Sequence, residues 1–265
     1  MKTLRTFMLT LIATTLITGS AYATYEQSPS TPVVREINNI SFKSLEISSN
    51  FTVKLTPSEK CKVKIKVSKS LVPNLISKVV GDKLILAINS NKFRSKEATV
   101  EISAPSFKEL DLNGNVNMTI EGDWELQTVR LNLSGAAKLT TQTHKLNINQ
   151  LNICQSGGSH LHAALRVKNL NIDNSGASHL TLQNLNHESG HLVNLDASGN
   201  SQINLSKLSF EIINVDASGT ANAFVFPVKN LNVNASGNSS VRYIGSSKEL
   251  NTNFSTCGTA SITLY

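Results

Sequence analysis

Residues 170–182 read LNIDNSGASHLTL, and the fold turns on how often that phrase comes back. Its fixed point is Gly176. Gly114, Gly135, Gly157, Gly199, Gly219, Gly237 and Gly258 take the same place in seven further copies, at intervals of 18 to 23 residues. Self-similarity at a period near twenty residues is the signature of a solenoid.

Each copy alternates on both sides of its glycine. Before it the apolar positions are Leu170 and Ile172, then Val193, Leu195 and Ala197, then Leu231, Val233 and Ala235. After it they are Leu180 and Leu182, Ile203 and Leu205, Val241 and Tyr243, Ile262 and Leu264. Period-two alternation flanking a turn means two strands with one buried face each. The intervening Asn, Asp, Ser, Thr and His face water. Two residues past the glycine the side chain is small (Ala137, Ser159, Ser178, Ser201, Ala221, Ser239, Ala260), which suits a tight corner, and the glycine can take positive φ there. A further apolar pair, such as Trp124 and Leu126 or Leu146 and Ile148, predicts a third short strand per coil. Parallel connections are overwhelmingly right-handed. The expected fold is all-β: a right-handed parallel β-helix of about eight coils of ~20 residues over 107–265, preceded by an N-terminal β region.

The first 23 residues carry Lys2 and Arg5, an apolar run from Phe7 to Ile17 and Ala21-Tyr22-Ala23, the pattern of a secretory signal peptide cleaved after Ala23. The run is too short to span a membrane, and no later stretch is apolar enough to cross one as a helix. Export to the periplasm, the outer surface or the medium is expected. Residues 24–35 are polar with two prolines and read as a flexible leader. Residues 36–106 lack the glycine phrase but show strands in SLEI, FTVKL, CKVKIKVS, DKLILAI and ATVEISA, with an irregular helical turn or two expected over Leu71–Val80. This region reads as a cap over the first coil or as irregular extra coils.

Charge is uneven. Residues 36–106 hold 12 basic and 6 acidic side chains, against 10 and 11 from Phe107 onward. Lys62, Lys64 and Lys66 alternate with Val63, Ile65 and Val67, so they project from one strand face. They are candidates for contact with an anionic polymer, or a solubilising face that guards a sheet edge. Without interleaved aromatics or a reading motif, nucleic acid is not an expected partner.

The position three before each glycine reads Asp111, Asn132, Cys154, Asp173, Asp196, Asp216, Asn234, Ser255. Asp173, Asp196 and Asp216 would stack at rung spacing, where like charges repel unless a cation or an amide compensates. They are the candidate cation site, and the one feature that would suit a polysaccharide lyase or hydrolase, since pectin-cleaving β-helices use outward aspartates as acid and base. No base accompanies them, and an aspartate near a turn also serves to accept backbone hydrogen bonds. His160 and His179 share a position in adjacent coils, so their rings are expected to stack, with Lys138 and Gln202 as neighbours instead of a third ligand. The serines before glycine belong to the turn phrase, not to a nucleophile elbow. No catalytic residue, metal or cofactor is expected. Cys154 and Cys257 lie five rungs apart, about 24 Å, beyond the reach of a disulfide.

The phrases SLEISSNFTVKLTPS, VVGDKLILAI, LDLNGNVNMTI, VNLDASGNSQINL and LNVNASGNSSVRYIG carry a resemblance to the head GIN-domain family of autotransporter-type adhesins, over about Ile40–Leu264. Asn113 and Cys257 depart from the usual serine before glycine. The resemblance implies a right-handed β-helix outside the inner membrane with a role in adhesion and no catalytic residues to carry over. The expected function is a non-catalytic binding module showing polar faces to glycans, envelope polymers or surface proteins, with a β-helix carbohydrate-active enzyme as the alternative. Ser261–Tyr265 end on a strand, so homo-oligomers are also expected.

Overall fold

In each repeat a glycine marks the corner at which the chain turns from the strand before it to the strand after it. Gly176 has φ 71° and Gly199 φ 67°, a region closed to most L residues. Each corner also lies directly on the one before. A Cβ at 176 would stand 2.8 Å from the backbone N and O of Gly157, and one at 199 would stand 2.8 Å from the Gly176 carbonyl oxygen. Both the dihedral and the contact therefore require glycine.

The computed structural model describes residues 32–89, 98–185, 188–245 and 250–265. The expected signal peptide, and the leader up to Thr31, lie outside the described residues. The first strands are β1 (Val33–Ile40), β2 (Ser44–Ser49), β3 (Thr52–Pro57), β4 (Cys61–Val67), β5 (Leu75–Val80), β6 (Lys83–Ile88) and β7 (Ala98–Ala104). Then come β8 (Glu109–Gly114), β9 (Asn117–Glu121), β10 (Trp124–Leu133), β11 (Lys138–Gln142), β12 (Leu146–Gln155), β13 (His160–Asn174) and β14 (His179–Asn184). The last are β15 (Gly190–Ala197), β16 (Gln202–Ala217), β17 (Asn222–Ala235), β18 (Ser240–Tyr243), β19 (Asn251–Thr256) and β20 (Ser261–Leu264).

From β8 onward every pairing within the repeat is parallel and follows the glycine alignment. Leu131 pairs with Ile153, Ile153 with Ile172, Ile172 with Leu195, Leu195 with Val215, and Val215 with Val233. The result is a β-solenoid of about seven turns, which is what eight successive corners bound. Two walls meet at the corner: a pre-corner wall that includes β8, β12, β15 and β19, and a post-corner wall that includes β9, β11, β14, β18 and β20. The expected third strand is not separate. Trp124 and Leu126 pair with Leu146 and Ile148, but they are the leading end of β10, which runs unbroken to Leu133.

The small residues after the corner point inward. Ala137, Ser159, Ser178, Ser201 and Ala221 are fully buried, so their size is set by the narrow core at the corner and not by the turn alone. Two of the buried hydroxyls there find local partners, while Ser201 Oγ finds none among the described residues: Ser178 Oγ donates to the Ser175 carbonyl at 2.7 Å, and Gln155 Nε2 donates to Ser159 Oγ at 3.2 Å. The inward apolar columns fuse into one core running the length of the stack.

The N-terminal region joins the same ladder. β2 pairs in parallel with β8, and β3 with β9, and Ser49 takes the corner opposite Gly114 with φ 86°. The strain of a non-glycine there, about 1–2 kcal/mol, is offset by Ser49 Oγ, which donates to the Ile88 carbonyl at 2.9 Å and accepts from the Ile88 N–H at 3.3 Å. Beyond this turn β6 lies on β2 and β7 on β3, again in parallel. Antiparallel strands then finish the end: β4 against β7, β1 against β4, and β5 against β6. Val33–Arg35, read above as the end of a leader, thus belong to β1. Helix over Leu71–Val80 is confined to a 3-10 segment, Lys69–Asn74. Leu75–Val80 is strand instead, because β-branched Ile76, Val79 and Val80 suit the ladder that β6 offers.

Gly176→Ala is expected to cost about 2 kcal/mol or more, from positive φ plus the clash with Gly157. Gly81→Ala, at φ 63° but with open space where its Cβ would lie, is expected to cost only about 1 kcal/mol. Urea unfolding of both variants measures the difference. Equal losses would show that corner contact contributes nothing.

Candidate functional surfaces

Register converts outward residues into columns, and the pre-corner wall carries two. Asn152, Asn171, Asn194, Asn214 and Asn232 form a ladder in which each Nδ2 donates to the Oδ1 of the preceding rung, at 2.8–3.0 Å. Its signal in the sequence is asparagine recurring five residues before the glycine. Beside it runs the column from Asp111 through Asn132 and Cys154 to Asp173, Asp196 and Asp216, paired rung to rung as the spacing requires. A groove of about 400 Å³ lies between the columns.

The two ends of the acidic column differ. Asp111 receives Lys83 Nζ at 2.9 Å and the Asn132 side-chain amide. Lys83 also lies 3.4 Å from Glu109 and 3.8 Å from Glu46, and the bond to Asp111 raises its pKa above the ordinary lysine value. Asp173, Asp196 and Asp216 have one another. Partial burial raises the Asp196 carboxyl, and Asp173 and Asp216 push the same way. Burial likewise raises the Cys154 thiol, with Asp173 adding to it and Arg130 opposing. Stacked carboxylates one rung apart, about 4.8 Å, project side by side without converging. Among the described residues no group of three His, Cys, Asp or Glu is placed to hold a metal ion.

The lysine row of β4 is not on a sheet edge, because β1 covers it. Lys64 stands between Glu36 of β1 and Glu101 of β7, and Glu101 in turn faces Lys54 of β3. Lys62 Nζ lies 3.6 Å from Glu36, and Lys54 Nζ 2.7 Å from Glu121. The row is thus one line of an alternating-sign patch whose acids come from strands distant in sequence. Lys66, between Val34 and Thr99, has no acid beside it in register.

On the post-corner wall His160 and His179 stack with ring centroids 4.8 Å apart and planes within 4°. His160 Nδ1 is 2.9 Å from the Gly158 carbonyl. The neighbouring column reads Thr119, Thr140, His162, Thr181, Asn204, Phe224, Arg242, Thr263. It changes character at two rungs before returning to threonine: the Arg242 guanidinium sits 5.3 Å from the centroid of the half-buried Phe224 ring, and Tyr265 packs edge-on to the same ring at 5.1 Å. A groove of about 410 Å³ leads from His179 to Arg242. Cys61 is buried, Cys154 and Cys257 are exposed, and all three are free.

These features define a β-solenoid domain whose faces are repeated polar columns. The family described as "Putative auto-transporter adhesin, head GIN domain" matches residues 41–247, and the chain belongs to it. No curated protein matches the sequence. Among solved structures, a protein of Parabacteroides distasonis ATCC 8503 described as a putative lipid binding protein is 15% identical, over 89% of this chain and 98% of its own, with a TM-score of 0.77. A putative adhesin from Parabacteroides merdae ATCC 43184 is 17% identical over 89% and 97%, at 0.72. Another from P. distasonis ATCC 8503 is 16% identical over 89% and 98%, at 0.73. Likeness at these identities shows the shared fold.

A carboxyl whose pKa is raised on folding holds its proton more tightly in the native state, so its ionisation opposes folding. That penalty is absent below the ordinary value of 3.8 and complete above the raised one. Asp196→Asn is therefore expected to raise the melting temperature at pH 7, with the gain fading as pH falls through the raised value toward 3.8 and shrinking with added salt. Melting curves across pH 3–7 check this. A pH-independent gain would assign the effect to the amide and not to relief of charge.

Proposed function

We infer that the protein is an exported, non-catalytic binding module of adhesion type, which presents the polar faces of its solenoid to glycans, envelope polymers or surface proteins. The observation that carries this reading is the registration of outward side chains into parallel columns. Such columns offer a long, rigid, repeating surface, while catalysis needs unlike groups brought to one point. Family membership supports adhesion, and the signal-peptide pattern of residues 1–23 supports export. Within this reading Lys66 is the better contact for an anionic polymer, since Lys62 is paired with Glu36 and Lys64 stands between Glu36 and Glu101. A polysaccharide-cleaving role for Asp173, Asp196 and Asp216 has less behind it: the carboxylates are side by side, and Arg130 is the one basic side chain lining their groove.

The test has two arms. On intact cells, digestion of the protein by added protease is expected if it is displayed outside, and protection until the outer membrane is opened would move the binding role to the periplasm. In vitro, the mature protein should be retained on immobilised envelope polysaccharide without releasing reducing ends or unsaturated sugars. Release of either product would overturn the non-catalytic reading. Failure to be retained on any envelope polymer or cell surface would overturn the binding module.

A further inference from the structure

The post-corner groove breaks the uniformity of the column that forms it, and the break is chemically specific. Three kinds of group meet there. Phe224 lines the groove and supplies aromatic surface on a wall whose outward neighbours are otherwise polar, and Tyr265, 78% exposed, extends that surface beyond the groove by packing on its ring. Gln202 and Asn204 on one rung and Asn222 on the next supply amides, with Gln202 pairing Asn222 in register and Asn204 pairing Phe224. The Gln202 side chain has no protein partner among the described residues. Asn204 uses its Oδ1 on Ser206, leaving Nδ2 to donate, and Asn222 uses its Nδ2 on the Thr220 carbonyl, leaving Oδ1 to accept. Arg242 supplies a cation. No carboxylate lines the groove, and the guanidinium is positioned by the Phe224 ring instead of by an acid.

The pre-corner wall shows why these details matter. Its asparagines are consumed by one another along the ladder, and its groove is lined by the carboxylates of Asp173, Asp196 and Asp216 with Arg130 as the one cation among the described residues. The post-corner amides still have donors and acceptors to give, beside an arginine whose fork fits a carboxylate in a bidentate manner.

The geometry points to this groove as a binding site for a carboxylate-bearing glycan. In it Arg242 takes the acid, Tyr265 and the edge of Phe224 lie against the apolar face of a pyranose ring, and the rung-spaced amides read hydroxyls. The rungs repeat about every 4.8 Å, so a linear chain laid along the axis meets Asn222 on one rung, Gln202 and Asn204 on the next, and His179 and Thr181 on the one after. The site deepens the binding-module reading and rests on it. A chain of uronates and a sialic acid at a glycan terminus share the chemistry, and the probes below separate them.

The experiment is calorimetric titration of the mature protein with a galacturonate hexamer, a sialyl-terminated trisaccharide and a neutral malto-hexaose. One acidic probe is expected to bind about tenfold or more tightly than the neutral one. Arg242→Gln should abolish that preference, and Tyr265→Ala should weaken every probe that binds. Both side chains are exposed, so melting curves should match the wild type; Phe224→Ala, which removes a half-buried ring, is used only if it too melts normally. Acidic-probe binding unchanged by Arg242→Gln and Tyr265→Ala would overturn this site while leaving the binding module standing. Absence of binding to all three sugars would also overturn it, whereas the module itself is decided by retention on envelope polymers.

Discussion

Everything in this structure depends on one backbone approach, repeated at each corner. The N–H after each glycine donates to the carbonyl of the glycine one turn earlier: Ala177 to Gly157, Asn200 to Gly176 and Thr220 to Gly199, each at 2.8 Å. That bond closes only if no Cβ stands between the corners. It fixes axial distance and register together, since a slip of one residue would place a side chain in contact with backbone and turn every apolar residue outward. The variable interval between glycines is tolerated because insertions fall away from the corner. The interval of 23 residues between Gly176 and Gly199 leaves the pairing of Asp173 with Asp196 intact.

Once register is fixed, like residues stack on like, and side-chain chemistry decides whether that helps. Asparagine gains, because its amide is both donor and acceptor and can bond above and below. Aspartate has only acceptors, so the same stacking sets charges side by side, and the raised Asp196 carboxyl is the physical consequence. At the first turns the problem is met differently, with Lys83 reaching Asp111 from β6 and an alternating line of Glu36, Lys64, Glu101 and Lys54 crossing the capping strands.

How much of this is legible in the sequence follows from where each partner comes from. The columns were readable because their members recur at a constant offset from glycine, which is why the Asp173–Asp196–Asp216 stack and the His160–His179 pair appear where alignment puts them. The capping end was not, because β1 with β4, β4 with β7 and β5 with β6 are antiparallel pairings that no repeat announces. Lys62, Lys64 and Lys66 read as an uncompensated basic row for that reason: Glu36 and Glu101 are 28 and 37 residues from Lys64 and outside any local pattern. Ser49 was hidden in a different way. It does a glycine's work without being glycine, held by its own hydroxyl on Ile88.

A structure so governed by repetition constrains where recognition can arise. A uniform column offers a partner the same group at every rung, and where that group is asparagine the amides are already bonded to one another. Specific binding therefore calls for a place where the column changes type while the backbone stays in register. On the post-corner wall that change comes between Asn204 and Arg242, where threonine, histidine and asparagine give way to an aromatic ring and a cation. The ring is not there to fill the core, since the inward positions of the same strand, Ala223 and Val225, already do so. An outward aromatic half-covered by Arg242 and Tyr265 leaves the rest of its ring as apolar surface on an otherwise polar wall, where a ligand with an apolar face can lie against it.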